Sequence, residues 1–412
     1  LIVSITNVKL RKKAPMPRVL RIINRFNLGG PTYNAALLTK HLSPDFETLL
    51  IGGEAEESEE SSEFILDQLG IEGKIIDEMQ RDLGFANDRT AYRKIKQIIK
   101  DYKPDIIHTH ASKAGAIGRA AGIAYGKAKM VHTFHGHVFH SYFGTIKTNF
   151  YKNIERTLAL KTDKIIAISN RQKIELWKKH RICSADRIAV VPLGFELEKF
   201  QQNQEEKRKV FRQKFNLEDD EVAIGIIGRL APIKNHSLFI DAFHQLQQQT
   251  TQKVRAFIIG DGEEAEYLKK YAKDLNIILS NGQENYIKNT QLHFTSWIKN
   301  IDEVNAGLDI VALSSNNEGT PVSLIEAQAA GKPIVSTKVG GISNIVKTNK
   351  TAFLVPAEDR KQFTDGLLKL TENKQLRDEM GTHGWQFVNK KFHYKRLVDD
   401  IRKLYDELLE KK

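Results

Sequence analysis

The chain has 412 residues, of which 41% are hydrophobic and 28% charged, with a formal net charge of +12. That length is long for one hydrophobic core and comfortable for two, and no run of about eighteen apolar residues offers a membrane-spanning helix. Cys183 is the single cysteine, which excludes an internal disulfide, gives a structural metal no thiolate cluster and fits a reducing cytosol.

The charge is unevenly placed: residues 1–200 hold 32 Lys/Arg against 22 Asp/Glu, a net of +10, and the remainder has a net of +2. A basic half attracts nucleic acid, anionic lipid or an anionic substrate, and net charge alone does not choose among them. Residues 1–17 place their charges after a short apolar run, the reverse of a secretion signal, and read as a tail.

Residues 18–24 (RVLRIIN) read as a strand that passes through Phe26, Asn27, Leu28, Gly29, Gly30 and Pro31 into a helix from 32 to about 42. Gly29 and Gly30 let backbone approach a ligand where a side chain would collide. They do not form G-x-G-x-x-G, so the dinucleotide fingerprint is absent and a dehydrogenase is disfavoured. A strand at 46–51 leads into an acidic loop, 52–63, with little to bury. Helices near 62–69 and 88–102 then alternate with strands at 74–76 and 105–109, the latter placing His108 and His110 at its carboxyl end. Gly115, Gly118, Gly122 and Gly126 punctuate the next helix, which predicts close packing on a sheet despite their propensity cost.

A strand at 129–134 ends in His135-Gly136-His137. Histidines at 132, 135, 137 and 140 invite a zinc reading, disfavoured because no cysteine joins them and no His-Glu-x-x-His helix is present. Helices at 145–161 and 170–181 carry Lys147, Lys152, Arg156, Lys161, Lys173, Lys178, Lys179 and Arg181, with Trp177 among them. Most such charges solvate a helix face, and their density also suits a surface resting on an anionic bilayer. A strand at 188–192 closes the first sheet, and 194–214, rich in Gln, Glu and Lys, reads as the connection between two domains.

The second half repeats the strand-loop-helix plan. A strand at 222–227 runs into Gly228-Arg229-Leu230-Ala231-Pro232-Ile233-Lys234-Asn235 and a helix with Leu238, Phe239, Ala242, Phe243 and Leu246 on one face. Arg229 and Lys234 are ordinary solvated loop residues or, on a cleft-facing turn, donors to a diphosphate. A strand at 254–259 with Gly260-Asp261-Gly262, and the run Phe294-Thr295-Ser296-Trp297-Ile298, follow the same plan. No Asp-x-Asp occurs in the sequence, so a carboxylate pair at that spacing is missing as a holder of a metal ion.

Residues 308–313 (LDIVAL) are nearly continuously apolar, as a strand covered on both faces should be. After Ser314, Ser315, Asn316, Asn317, Glu318 and Gly319, Thr320 reads as an N-cap and Pro321 as the first helical residue, with Val322 beyond. Gly331 and Pro333 mark the helix stop, and a strand at 333–337 breaks at Gly340-Gly341. Such a βαβ unit offers a helix N-terminus to an anion at the carboxyl edge of a sheet. Glu318 and Glu326 bracket that spot. Each alone reads as a capping or solvated carboxylate, and together they suit the hydroxyls of a sugar and a ribose.

At these residues, S-S-N-N-E-G-T-P-V-S-L-I-E-A-Q-A-A-G-K-P-I-V, the chain resembles the E-x7-E signature of the retaining family-four glycosyltransferases. The resemblance implies an α/β GT-B fold, two Rossmann-like doubly wound domains facing each other across a cleft. It places an amino-terminal acceptor-side domain at 18–200 and a nucleotide-sugar donor domain at 201–394, with a last helix at about 395–412 returning to the first domain. It implies that Gly29 and Gly30 contact the donor phosphates and that His135, in T-x-H-G, lies beside the donor sugar. Arg229 and Lys234 would stabilise the departing diphosphate with Gly319, Thr320, Pro321 and Val322 at the helix start, while the Ile298 backbone reads the base. Glu318 would orient the sugar and Glu326 bind the ribose. The sequence departs from the commoner pattern at Gly340-Gly341-Ile342-Ser343-Asn344, where many members have Pro-Glu after the glycines.

The resulting expectation is a cytoplasmic, metal-independent enzyme without a cofactor, peripheral at the inner face of the membrane. It would move a hexose or N-acetylhexosamine from a UDP-sugar to a hydroxyl of a saccharide or lipid-linked acceptor, with nucleic acid not a partner. Two rivals are a GT-B UDP-sugar epimerase, which needs no acceptor, and a non-catalytic basic scaffold for nucleic acid or membrane, indifferent to UDP.

Overall fold

The computed structural model describes residues 15–27, 30–55, 63–80, 84–136, 145–282 and 289–410. The chain divides into two compact units, Leu1–Val191 with Val398–Lys412, and Pro192–Leu397.

The first unit is built on seven strands: β1 (Arg18–Arg25), β2 (Glu47–Gly53), β3 (Gly73–Ile75), β4 (Ile106–His110), β5 (Lys129–Phe134), β6 (Lys164–Ala167) and β7 (Ile188–Val190). They form one parallel sheet in the order β3-β2-β1-β4-β5-β6-β7. The central strands are buried almost throughout, β4 at every residue, as the apolar run in the sequence requires of a sheet covered by helices on both faces. Three of the four glycines at the helix Ser112–Tyr125 do what their spacing predicts, while Gly126, at φ +72°, caps its end instead. A Cβ on Gly115 would lie 2.4 Å from the His132 ring, one on Gly118 2.8 Å from Thr109, and one on Gly122 2.6 Å from Met130. The helix therefore lies directly on β4 and β5. Arg119 in it and Glu155 of the helix Thr145–Leu160 form a buried ion pair at 2.5 Å.

The second unit repeats the design with β8 (Val222–Ile227), β9 (Val254–Ile259), β10 (Leu279–Asn281), β11 (Leu292–Ser296), β12 (Ile310–Leu313), β13 (Ile334–Thr337) and β14 (Ala352–Val355). They pair in parallel in the order β10-β11-β9-β8-β12-β13-β14. Its core joins Ile224, Ile226, Phe239, Phe243, Ile258, Ile310, Phe363 and Leu367. Phe239, Phe243 and Leu246 belong to the apolar face expected for the helix His236–Gln249, and all are buried.

Several boundaries differ from the sequence expectation. The first compact unit ends at Val191, and residues 192–200 are tied to the second, where Phe195 pairs with His393 and Arg396 donates to the carbonyls of Pro192 and Leu193. Helix Tyr394–Glu410 has its residues from Val398 onward in the first unit, where Tyr405 is fully buried. Within the connecting segment 194–214, Gln204–Lys214 is a helix. Its polar composition hides one apolar anchor, Phe211, which packs against Phe215, Phe257 and the backbone of Gly307. Arg208 and Arg212 of the same helix hold Asp309 at 2.8 and 3.4 Å, and Asp309 also accepts from the Ala223 amide. Helix 170–181 is shorter, Asn170–Ile174, and continues as a π turn, Glu175–Lys179. Of the acidic loop, Gly52 and Gly53 belong to β2 and residues 56–62 lie outside the described residues, as do Leu28, Gly29 and 137–144.

Phe211→Ala should therefore cost about 3–5 kcal/mol, the range for truncating a buried aromatic, when stability is read from urea unfolding. A loose linker would lose almost nothing.

Candidate active site

In the second sheet β8 lies beside β9 on one side and β12 on the other, so chain order reverses at the β8–β12 junction. Open α/β sheets bind ligands at the carboxyl ends of the strands at such a point. The loops leaving β8 and β12 are stitched together there. The Asn316 amide donates to the Ile233 carbonyl at 2.8 Å and the Ser314 hydroxyl to the Lys234 carbonyl at 3.0 Å. Between them, Lys234 Nζ meets Glu318 Oε1 at 2.6 Å, and Ser315 Oγ donates to the same oxygen at 2.7 Å. The Glu318 side chain is 9% exposed and that of Lys234 24%, so the pair is fixed at the carboxyl edge of the sheet while the ammonium still meets solvent.

The Gly340-Gly341 turn sets the height of the Glu318 loop. Gly340 has φ +50°, and a Cβ on it would lie 1.8 Å from the Glu318 carbonyl oxygen. One on Gly341 would lie 1.8 Å from the Gly319 carbonyl, and the Gly341 amide donates to Glu318 O at 3.0 Å. Only backbone fits in that space. At Gly319, by contrast, a Cβ would meet nothing within 4 Å. Protein packing does not require that glycine.

The helix after this loop is Val322–Ala329. Thr320 is not its cap and Pro321 is not its first residue: Pro321, extended at φ −67° and ψ 110°, occupies the capping position and no side chain caps the helix. The Leu324 amide donates to the Pro321 carbonyl at 3.3 Å, and with no side-chain cap the helix start suits an anion. Gln201 and Gln204 donate to the carbonyls of Ala329 and Ala330 at the other end, anchoring the helix there. Glu326, partly buried on it, has its carboxyl pushed up to about 7 by burial, with the Lys199 charge opposing the shift and Asp302 adding to it.

Arg229 takes another partner. Its guanidinium meets Glu263 at 3.0 Å with both side chains more than half exposed. The β9 loop sits tightly under the β8 loop: a Cβ on Gly260 would be 2.0 Å from the Gly228 carbonyl, and one on Gly262 2.4 Å from the Leu230 carbonyl. Ile298, partly buried, follows Ser296, whose φ is +57°, whose carbonyl accepts from the Gly260 amide at 3.1 Å and whose hydroxyl donates to Asp261 at 3.0 Å. Trp297, beside it, is 47% exposed and so is not core packing.

The first unit has its own reversal, at β1 and β4. Gly30 opens the helix Gly30–His41 after β1, and Gly29 lies outside the described residues. His135, just past β5, meets His110 through Nε2 and Nδ1 at 2.9 Å. His110 stacks on His108 with ring centroids 4.2 Å apart. His108 in turn meets Tyr405 Oη at 2.6 Å and Thr133 Oγ1 at 2.7 Å, and Arg21 donates to the same phenol at 3.2 Å. Burial lowers the His135 pKa to about 3 and depresses His110 and His108 well below their ordinary range. These rings are neutral at pH 7. His135 Nδ1 is buried and makes no hydrogen bond among the described residues. No group of three or more metal-ligating side chains occurs among the described residues.

Sequence reasoning missed Ser315, the Gly340-Gly341 brace and His110 as partners of the site. The serine pair before Glu318 and the strand-end H-x-H were visible signals. Nothing in the sequence marked Tyr405, which is 297 residues from His108.

Gly340→Ala should lower stability by about 2–3 kcal/mol, from left-handed backbone strain and the clash with Glu318, measured by urea unfolding. Glu326 yields a pH test. Its folded pKa, about 7, lies above the ordinary 4.5, so the folded state holds the proton more tightly and stability falls as pH rises between these values. Glu326→Gln removes that dependence. Its stability should gain on the wild type by about 2 kcal/mol from about pH 5 to about pH 8, allowing for partial solvent screening.

Residues 35–199 match the family model described as Glycosyltransferase Family 4, and residues 207–386 the one described as Glycosyl transferases group 1. An Escherichia coli protein named UDP-Gal:alpha-D-GlcNAc-diphosphoundecaprenol alpha-1,3-galactosyltransferase is 29% identical over 334 residues, 80% of this chain and 82% of that one. The Staphylococcus aureus capsular polysaccharide biosynthesis glycosyltransferase CapM is 24% identical over 335 residues, 80% of this chain and 84% of that one. Among solved structures, Anabaena HepE in complex with UDP is similar with a TM-score of 0.78 at 19% identity, over 95% of this chain and 100% of that one. With a family 4 domain in its first half, a group 1 domain in its second and two parallel seven-stranded sheets, the chain belongs to the GT-B glycosyltransferases.

Proposed function

We propose that the protein transfers a hexose or N-acetylhexosamine from a UDP-sugar to an acceptor hydroxyl, with retention of anomeric configuration and without a metal ion. The observation that carries this reading is the Lys234–Glu318 pair at the reversal point of the second sheet, beside an uncapped helix start. A leaving diphosphate gains negative charge as the glycosidic bond breaks, and a fixed ammonium with aligned backbone amides stabilises that charge without reorganisation. The Arg229–Glu263 pair is exposed on both sides, and such a pair is worth about 0–1 kcal/mol. Arg229 can therefore leave it for the diphosphate at small cost.

Glu318 accepts from hydroxyls of the donor sugar in this scheme, and Glu326 from the vicinal diol of the ribose. Two hydroxyl donors favour the ionised carboxylate, so nucleotide binding would draw the Glu326 pKa back down. His135, neutral and with Nδ1 open, is the first unit's residue that we assign to the donor sugar. The lack of any Asp-x-Asp supports metal independence. A lipid-linked saccharide acceptor in cell-surface polysaccharide biosynthesis is supported by the E. coli relative's name, which includes a diphosphoundecaprenol-linked GlcNAc. Peripheral attachment at the inner membrane face is supported by Trp177, 40% exposed with Lys178 over its ring at 5.0 Å.

Thermal melts of the wild type, Glu326→Ala and Lys234→Ala with UDP, ADP, GDP and NAD, all without metal, test the reading. UDP should stabilise the wild type, by about 2.7 kcal/mol at a hundredfold excess over Kd, and both substitutions should shrink the shift. Turnover of UDP-sugars then requires a lipid-linked acceptor. Turnover of UDP-sugar without an acceptor would favour an epimerase, and a melt indifferent to every nucleotide would favour the basic scaffold.

A further inference from the structure

The second unit contains a cavity of about 620 Å³ lined by none of the residues assigned above to the sugar nucleotide. It lies between the turn that precedes β14, which supplies Lys347 and Lys350, and the end of the helix Lys374–Phe392, which supplies Phe387, Lys390 and Lys391, with Arg396 just beyond. Five cations line it and no carboxylate does. None of the four lysines forms an ion pair with a described acidic residue, whereas Lys253, Lys361 and Lys374 in the same unit each do.

The cations are placed, not merely gathered. Lys391 Nζ donates to the Asn344 carbonyl at 2.6 Å, and Arg396 donates to the carbonyls of Pro192 and Leu193 at 2.8 and 2.7 Å. Lys347 and Lys391 each stand 5.3 Å from the centroid of the Phe387 ring, close enough for cation–π attraction to hold both against it. Burial, with the charge of Arg396 beside it, pushes the Lys391 pKa down. The plainer explanation is that basic residues complement the negative end of a helix. That accounts for Lys390 and Lys391, which lie in the last turn, but not for Lys347, Lys350 or Arg396, which come from other segments.

We propose that this cavity binds a phosphate-bearing anion of at least two negative charges, at a site separate from that of the sugar nucleotide. Its volume falls within the range of about 300–1,000 Å³ typical of ligand pockets. Ammonium and guanidinium groups supply charge-assisted donors to phosphate oxygens, and the Phe387 ring supplies an apolar wall. The phosphate could belong to a soluble ligand or to a lipid headgroup, and both present the same chemistry to these residues.

Calorimetric titration of the full-length chain with inorganic pyrophosphate at low ionic strength tests the site, using the wild type, Lys350→Glu/Lys390→Glu and Lys234→Ala. Both reversed lysines are exposed, and Lys350→Gln/Lys390→Gln serves if the reversal impairs folding. A pyrophosphate-binding event should survive Lys234→Ala and weaken by about tenfold or more in the charge-reversed protein, whose melting shift with UDP stays that of the wild type. Flotation with vesicles of equal phosphatidylglycerol and phosphatidylcholine, against phosphatidylcholine alone, distinguishes the sources. If only the anionic vesicles bind, and charge reversal releases them, the phosphate is a lipid headgroup. The proposal is overturned if neither probe binds, if charge reversal weakens neither, or if pyrophosphate binding disappears with Lys234→Ala instead. None of the outcomes that overturn the proposal requires UDP to bind, so the site stands or falls apart from the function proposed above.

Discussion

A lysine and a glutamate 84 residues apart in sequence meet at 2.6 Å where the second sheet reverses its order, and most of the local architecture keeps them there. Neither loop could hold its charge in place alone. The Ser314 and Asn316 hydrogen bonds fix the β8 and β12 loops to each other, and Ser315 fixes the carboxylate. The two glycines after β13 then support the loop from below, in a space too small for any Cβ. A largely buried pair of this kind is weak support for stability, because desolvation offsets much of the Coulomb attraction. Its value is geometric: a positive charge stands in the loop pair that leads to a helix start with no side-chain cap.

The first unit achieves order by a different route, a chain of neutral polar groups. His135, His110, His108, Tyr405 and Arg21 are linked by hydrogen bonds and stacking, with three of the rings kept uncharged by burial. A neutral imidazole can donate from one nitrogen and accept at the other without the solvation cost of an ion. The network therefore fixes the His135 ring while leaving its Nδ1 unspent. Because the last helix contributes Tyr405, the carboxyl terminus of the chain takes part in orienting a residue from its first third.

The strand-loop-helix rhythm was legible because parallel strands covered on both faces must be apolar, and β5, β8 and β9 fall at the residues where composition put them. Local signals also located the glutamate loop, the stop at Gly331 with φ +69° and the close-packed helix glycines. Helix edges were less secure. Thr320 and Pro321 carry the right chemistry for a cap and a first turn, yet the proline's extended ψ moved the start one residue on. The connecting segment hides its helix because a single buried Phe211 outweighs nine polar residues once Gly307 leaves it room.

What the sequence determined by itself was therefore what depends on near neighbours: the period of the strands, the glycine turns, and the residue types able to hold a phosphate or a diol. What only the tertiary structure decided was which of those residues meet. Lys234 pairs with Glu318 while Arg229 pairs with Glu263, and five cations from three segments surround one cavity. The reason is physical: side-chain pairing depends on strand order and on loop height set by distant glycines, and neither leaves a trace in local spacing.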